Sequence, residues 1–268
     1  MRALVVGDVF GGVGLRALLA MLPALCEEHS PDVIVVNAEN AASGAGTSAR
    51  QARDLLAAGV DVVTGGNHTF RQKDIYPLLE TEPRVLRPAN LAVRGPGRGS
   101  VTVSARSGER VAVINVMGAV FMTASASPFA IIDDLVAAAR AEARFVIVDL
   151  HAEATSEKVA LARHLDGRVT AVVGTHTHVQ TADARVLPEG TAFVSDLGMT
   201  GPHDSVIGVR TDQVLRRFLS GQPGPFDPAG DEVLVQGAVI DAAPGGLATS
   251  IATFSRPAPP GREGSAPA

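Results

Sequence analysis

The chain opens on a short apolar run, residues 3–6 (ALVV), that ends in Gly7-Asp8. A run this short, closed by a turn-forming pair, predicts a buried strand followed by a loop. Residues 15–28 place apolar side chains at helical spacing, and residues 33–36 (VIVV) predict a second buried strand ending at Asn37-Ala38-Glu39-Asn40. Thr47 is placed to cap a helix over 48–58, with Gly59 to stop it. A third strand, 60–63, ends in Thr64-Gly65-Gly66-Asn67-His68, and a short helix follows over 71–80. Residues 100–106 and 110–116, on either side of Ser107-Gly108, predict a hairpin, and Ser127-Pro128 opens a helix to 142.

The second half keeps the rhythm. A strand over 145–150 ends at His151, and a helix covers 155–165. The strand 169–173 ends at Gly174-Thr175-His176-Thr177-His178, and short strands follow at 184–187 and 191–195. A strand pair at 232–241 and 247–254 closes the pattern, and the Pro/Gly/Ala-rich residues 256–268 predict a disordered tail. Strands alternating with helices give an α/β fold, and the late hairpins make its sheet mixed. No internal repeat or linker interrupts 1–255, so one domain is expected there.

The polar residues change the picture. Five predicted strands end in groups that can bind a metal: Asp8, Glu39-Asn40, Asn67-His68, His151, and His176 with His178. In open α/β sheets the carboxyl ends of the strands form the binding crevice, so residues distant in sequence converge there. Taken singly, each has an ordinary alternative: a turn aspartate, a helix cap, an Asx-turn, a hydrogen-bonded histidine. Their coincidence at one sheet edge is what carries weight. Carboxylate oxygen, amide oxygen and imidazole nitrogen together suit Mn, Fe, Zn or Co over Ca or Mg. These donors are enough for two ions sharing a carboxylate, an arrangement that two-metal hydrolases use. His29 suits the negative end of its helix, His164 suits solvent, and His203 stays open as a border of the pocket.

Composition narrows the classes. Hydrophobic residues make up 46% of the chain, enough for a large core, while the formal net charge of −5 gives no broad electrostatic case for nucleic acid. A role in binding RNA alongside catalysis stays open. The single cysteine, Cys26, falls on the apolar face of a predicted helix and fits a reducing cytosol. The first apolar run is too short for a signal peptide or a membrane span, so a cytoplasmic protein is expected.

Several blocks resemble one known family. Gly7-Asp8-Val9-Phe10-Gly11, Asn37-Ala38-Glu39-Asn40-Ala41-Ala42, Gly66-Asn67-His68-Thr69, Asp149-Leu150-His151-Ala152-Glu153, the run from Gly174 to Asp183, and Asp196-Leu197-Gly198-Met199-Thr200-Gly201-Pro202 are similar to the YmdB-like branch of the calcineurin-like metallophosphoesterases. The resemblance spans about residues 1–254. Two positions depart from the wider superfamily and agree with the branch: Phe10 stands where a histidine is usual, and Glu39 where a bridging aspartate is usual.

The resemblance implies a four-layer αββα sandwich of two mixed sheets. It implies two divalent or trivalent transition-metal ions, Fe or Mn first and Zn next. Asp8, Glu39, Asn40 and His178 would hold one ion; Glu39, Asn67, His151 and His176 would hold the other. A metal-bridging hydroxide would attack a 2′,3′-cyclic nucleotide or related phosphodiester, and His68 would act as general acid. A homo-oligomer is implied as well.

Two other readings fit less. The glycines after the first strand suggest a dinucleotide-binding turn, but their spacing is not Gly-x-Gly-x-x-Gly and Asp8 would face the pyrophosphate. A metal-dependent amide or nucleobase hydrolase would carry His-x-His after an early strand, and here it follows a late one.

Overall fold

The computed structural model describes residues 1–92 and 94–259. In chain order its strands are β1 (Arg2–Val6), β2 (Asp8–Val9), β3 (Val33–Asn37), β4 (Val62–Thr64), β5 (Ser100–Ser104), β6 (Arg110–Met117), β7 (Phe145–His151), β8 (Ala171–Thr175), β9 (Arg185–Val186), β10 (Ala192–Val194), β11 (Met199–Pro202), β12 (Val233–Ala242) and β13 (Ala248–Pro257). Its α-helices are α1 (Gly11–His29), α2 (Ala49–Ala57), α3 (Tyr76–Thr81), α4 (Ile132–Glu142), α5 (Thr155–His164) and α6 (Thr211–Ser220).

The strands form two mixed sheets. The first runs β2-β11-β12-β1-β3-β4, with β13 paired along β12; the second runs β5-β6-β7-β8-β10-β9. Strands β1, β3 and β4 are mutually parallel, as are β6, β7, β8 and β10. Antiparallel pairs β1·β12 and β5·β6 make the sheets mixed.

The period-2 alternation of side chains explains the layering. In β1, Ala3 and Val5 face the second sheet while Leu4 and Val6 face helices; in β3 the same split separates Val33 and Val35 from Ile34 and Val36. The second sheet mirrors this, with Phe145 and Ile147 of β7 facing inward and Val146, Val148 and Leu150 facing out. Strands buried on both faces must read as unbroken apolar runs, which is why VIVV and FVIV carry no alternation. Leu18, Leu22 and Leu25 of α1, Leu55 of α2 and Leu78 and Leu79 of α3 cover one outer face. Val136 of α4 and Leu161 of α5 cover the other. The result is the expected four-layer α/β sandwich of two mixed sheets flanked by helices.

Local details differ from expectation where tertiary contacts decide. The cap of α2 is Ser48, whose side chain accepts from the Gln51 amide while the Gln51 side chain accepts from the Ser48 amide. Thr47 instead turns inward and bonds the Ala38 carbonyl. Helix α1 begins at Gly11, well before the apolar periodicity does, because Phe10 and Gly11 tie back to Thr200 and Asn40. Pro128 opens a 3₁₀ turn, and α4 follows only from Ile132. Strand β13 runs to Pro257, two residues into the expected tail, because Arg256 and Pro257 pair with Val235 and Leu234. Residues 260–268 of that expected tail lie outside the described residues. No helix among the described residues is long and apolar enough to cross a membrane.

Candidate metal centre

The parallel strands bring the candidate residues together. Asp8 follows β1, Glu39 and Asn40 follow β3, and Asn67 and His68 follow β4, three adjacent strands of the first sheet. His151 ends β7, and His176 and His178 follow β8, its neighbour in the second sheet. Both sets of carboxyl ends open onto one cleft of about 420 Å³, lined by Phe10, Glu39, Asn40, His68, His176 and His178 among others.

At its floor, His151 Nε2 lies 3.0 Å from Glu39 Oε1, from Asn67 Oδ1 and from His176 Nδ1. Glu39, His151 and His176 each offer a ligand atom, all within 4.8 Å of one another. A second group adjoins it. His178 Nε2 is 3.0 Å from Asn40 Nδ2 and 4.0 Å from Asp8 Oδ1. The Asp8 Oδ2 atom accepts from the His176 amide at 3.0 Å. Thus Asp8, Glu39, Asn40, Asn67, His151, His176 and His178 all meet here. His68 sits above, its amide donating to Glu39 Oε2 at 3.0 Å and its Nδ1 bonded to Asn40 Oδ1 at 2.9 Å.

The backbone is shaped for this convergence. A Cβ on Gly66 would collide with Glu39 Oε2 and His151 Nε2, so only glycine lets the β4 loop pass. His176 and His178 both have positive φ, 101° and 65°. Strained non-glycine backbone of this kind persists where the surroundings over-determine it.

The electrostatics suit a bound cation. Asp8 Oδ1 is buried and accepts no hydrogen bond, and the buried Glu39 Oε1 has only the imidazole nitrogens of His151 and His68 beside it. A buried unpaired carboxylate oxygen is costly, and a bound metal is one of the partners that removes the cost. Burial pushes the Asp8 carboxyl up to about 6, against the pull of His178 and His151. Burial also works to raise Glu39, but His151 and His68 outweigh it and hold the carboxylate low. Burial opposes protonation of His151, and Glu39, Asp8 and Asp149 override it and raise its pKa. His176 is pushed down to about 3 by burial and by His151, so it stays a neutral donor. Oxygen and imidazole donors of this mix fit a first-row transition metal.

The family model for YmdB-like proteins matches residues 4–254. The chain belongs to the YmdB-like family. It is 42% identical over 241 residues to a 2′,3′-cyclic-nucleotide 2′-phosphodiesterase of Bacillus subtilis (strain 168), covering 90% of this chain and 91% of the relative. A solved phosphatase from Mycoplasma pneumoniae superposes with a TM-score of 0.88 at 31% identity, covering 97% of this chain and 95% of that one. A hypothetical protein from Thermus thermophilus superposes with a TM-score of 0.89 at 42% identity, covering 97% and 100%.

Several residues of this YmdB-like site escaped the sequence reading of side-chain roles. Asp149 Oδ1 accepts from the Thr175 hydroxyl at 2.8 Å, and Thr175 Oγ1 lies 3.0 Å from His151 Nδ1. Because the Thr175 proton goes to Asp149, its oxygen must accept from His151. That fixes Nδ1–H and leaves Nε2 facing Glu39, Asn67 and His176, as the nitrogen that would give up its proton to hold a metal. Asn37 and Thr64 bond the other Asp149 oxygen. The signal was present: polar residues on the inward face of otherwise apolar strands. Glu153 Oε2, 3.0 Å from His176 Nε2, orients the other imidazole. Lys158 left no signal at all, since a lysine on a helix reads as solvated. His203 bonds the Gly201 carbonyl at 3.0 Å and is not among the cleft-lining residues.

Proposed function

We propose that this chain is a metal-dependent phosphodiesterase hydrolysing 2′,3′-cyclic nucleotides or closely related phosphodiesters. The observation that carries the reading is a pair of buried carboxylates, Asp8 and Glu39, facing imidazoles at the floor of an open cleft, with Asp8 Oδ1 left without a hydrogen bond. The name of the Bacillus relative supports the substrate class.

Asp8, Glu39, Asn40 and His178 would hold one ion, and Glu39, Asn67, His151 and His176 the other, with Glu39 shared. Fe or Mn fits these donors first and Zn next. Bound ions would supply Lewis acidity, acidifying a water and neutralising charge on the phosphoryl oxygens. The chain itself supplies the proton for the leaving group. His68 Nδ1 is engaged with Asn40 Oδ1, which leaves Nε2 to hand a proton to the departing sugar oxygen. Burial lowers the His68 pKa, which makes its imidazolium a stronger acid and at the same time leaves a smaller fraction of chains carrying that proton at neutral pH.

Protein purified without chelator is expected to carry about two transition-metal ions per chain and to hydrolyse 2′,3′-cyclic AMP. His68→Ala should keep its metal and lose roughly 10²–10⁴ of its rate on that substrate. Its loss on bis-p-nitrophenyl phosphate should be much smaller, because p-nitrophenolate leaves without protonation. Asn67→Ala should lose metal. Protein that binds no metal and stays inactive after addition of Mn, Fe or Zn would sink the reading.

A further inference from the structure

One wall of the cleft is a turn that its sequence should disfavour. Val206 N–H donates to the Val209 carbonyl at 2.8 Å, and Val209 N–H returns the bond at 3.0 Å. The two residues between them, Ile207 and Gly208, have φ of 48° and 102°. Positive φ at both central positions marks a type I′ turn, which favours Asn, Asp or Gly at the first of them. A β-branched residue with positive φ is a genuine outlier. Core burial does not repay the strain, since Ile207 is 54% exposed.

The turn is nonetheless rigid. A Cβ on Gly208 would lie 2.6 Å from the Phe10 ring, and one on Gly44 would lie 2.8 Å from it on another edge, so the ring is clamped between the two glycines. Ser205 Oγ accepts from the Gly208 amide at 2.8 Å and donates to the Pro202 carbonyl at 2.6 Å. The Ile207 carbonyl accepts from His178 Nδ1 at 2.8 Å, tying the turn to the site floor. These bonds hold the Ile207 backbone at the cleft, whose lining Ile207 shares with Val209, His68, Glu153 and Thr177.

We propose that Ile207 is a specificity-determining residue, an apolar platform on which the nucleobase of the substrate packs. This rests on the phosphodiesterase reading above. A cyclic nucleotide has an anionic end and a flat, largely apolar end. The polar floor takes the phosphate. Of the apolar side chains lining the cleft, Phe10 is buried at 4% exposure, so the accessible apolar surface falls to Ile207 and Val209. Strain at an exposed position is what selection for contact, rather than for turn stability, would leave behind.

The test compares 2′,3′-cyclic AMP with methyl riboside 2′,3′-cyclic phosphate, which lacks the base. In wild type, kcat/KM should favour the nucleotide. Ile207→Asn and Ile207→Ala should each cut that preference about tenfold, mainly through KM. Ile207→Leu, which keeps the apolar surface, should hold it within about twofold. Ile207→Asn should also melt higher than wild type, because Asn suits the turn. Wild type acting equally on both esters, or an unchanged preference in Ile207→Asn and Ile207→Ala, would overturn the platform and leave the phosphodiesterase reading standing. Wild type acting on neither would sink both.

Discussion

Asp8 is fully buried, with one carboxylate oxygen taken by the His176 amide and the other left without a partner. Its pKa rises from 3.8 to about 6 because burial penalises the charge. Between those values the folded chain holds a proton that the unfolded chain has lost. The contribution of this group to stability is therefore complete below pH ~4 and is lost as pH rises through ~6. Asp8→Asn removes the charge and keeps the shape. In chelator, urea denaturation should find Asp8→Asn gaining on wild type as pH rises from about 4 to 7. A difference that stays flat with pH would show that the Asp8 carboxylate is not strained without metal. At this scale the sequence was most legible where a polar residue stopped an apolar run. Asp8, Glu39, His151 and His176 were visible for that reason. The partner that sets the His151 tautomer, Thr175, was less so, because a threonine at a strand end is also an ordinary strand residue.

The loop after β8 shows what holds such residues in place at the scale of elements. Lys158 of α5 and Asp196, which follows β10, are 0% and 1% exposed and meet at 2.8 Å. The ammonium also donates to the Thr175 carbonyl at 2.9 Å, and Asp196 Oδ2 accepts from the Thr177 amide and hydroxyl. One buried ion pair thus anchors the segment on both sides of His176, whose backbone is strained. Removing one partner of a buried pair costs about 3–5 kcal/mol because the other charge is stranded. Lys158→Met should lose stability of that order in urea denaturation, and Lys158→Met/Asp196→Asn should lose less than the sum of the two single changes. Strict additivity would mean that the pair does not act as a unit. Nothing in the local sequence separates Lys158 from a solvated helix lysine; its burial follows from how α5 lies on the second sheet. Helix α6 was missed for a different reason. Only Val214 of that helix is buried, so it adds little to the core from which the strand pattern was read. The short strand β11 was missed because Met199–Pro202 carries glycine and proline, residues that usually mark loops.

For the whole molecule, the site is where the two sheets are held together at one end by polar groups. Glu39 belongs to the first sheet and His151 and His176 to the second, and Asn37 reaches across to Asp149 at 2.9 Å. Away from this end, the inter-sheet contact is an apolar core of Val5, Val35, Ile147 and Val173 with their neighbours. The layered architecture was legible because it rests on long apolar runs, whereas the meeting of the two sheets depends on their packing, which no single run encodes. A cation bound between Glu39 and the histidines would cross-link the layers and bind only the folded chain. Ligand at about a thousand times its dissociation constant stabilises a fold by about 4 kcal/mol. For a domain of this size that corresponds to roughly 10 °C in melting temperature. Chelation should lower the melting temperature by about that amount, and Mn or Fe should restore it. Hydrogen exchange should localise the effect. Amides at the carboxyl ends of β3, β4, β7 and β8 should gain protection on metal addition, while those at the amino ends of the same strands change little. Protection gained evenly at both edges would place the stabilising cation somewhere other than between the sheets, and no rise in melting temperature would mean that no cation cross-links them.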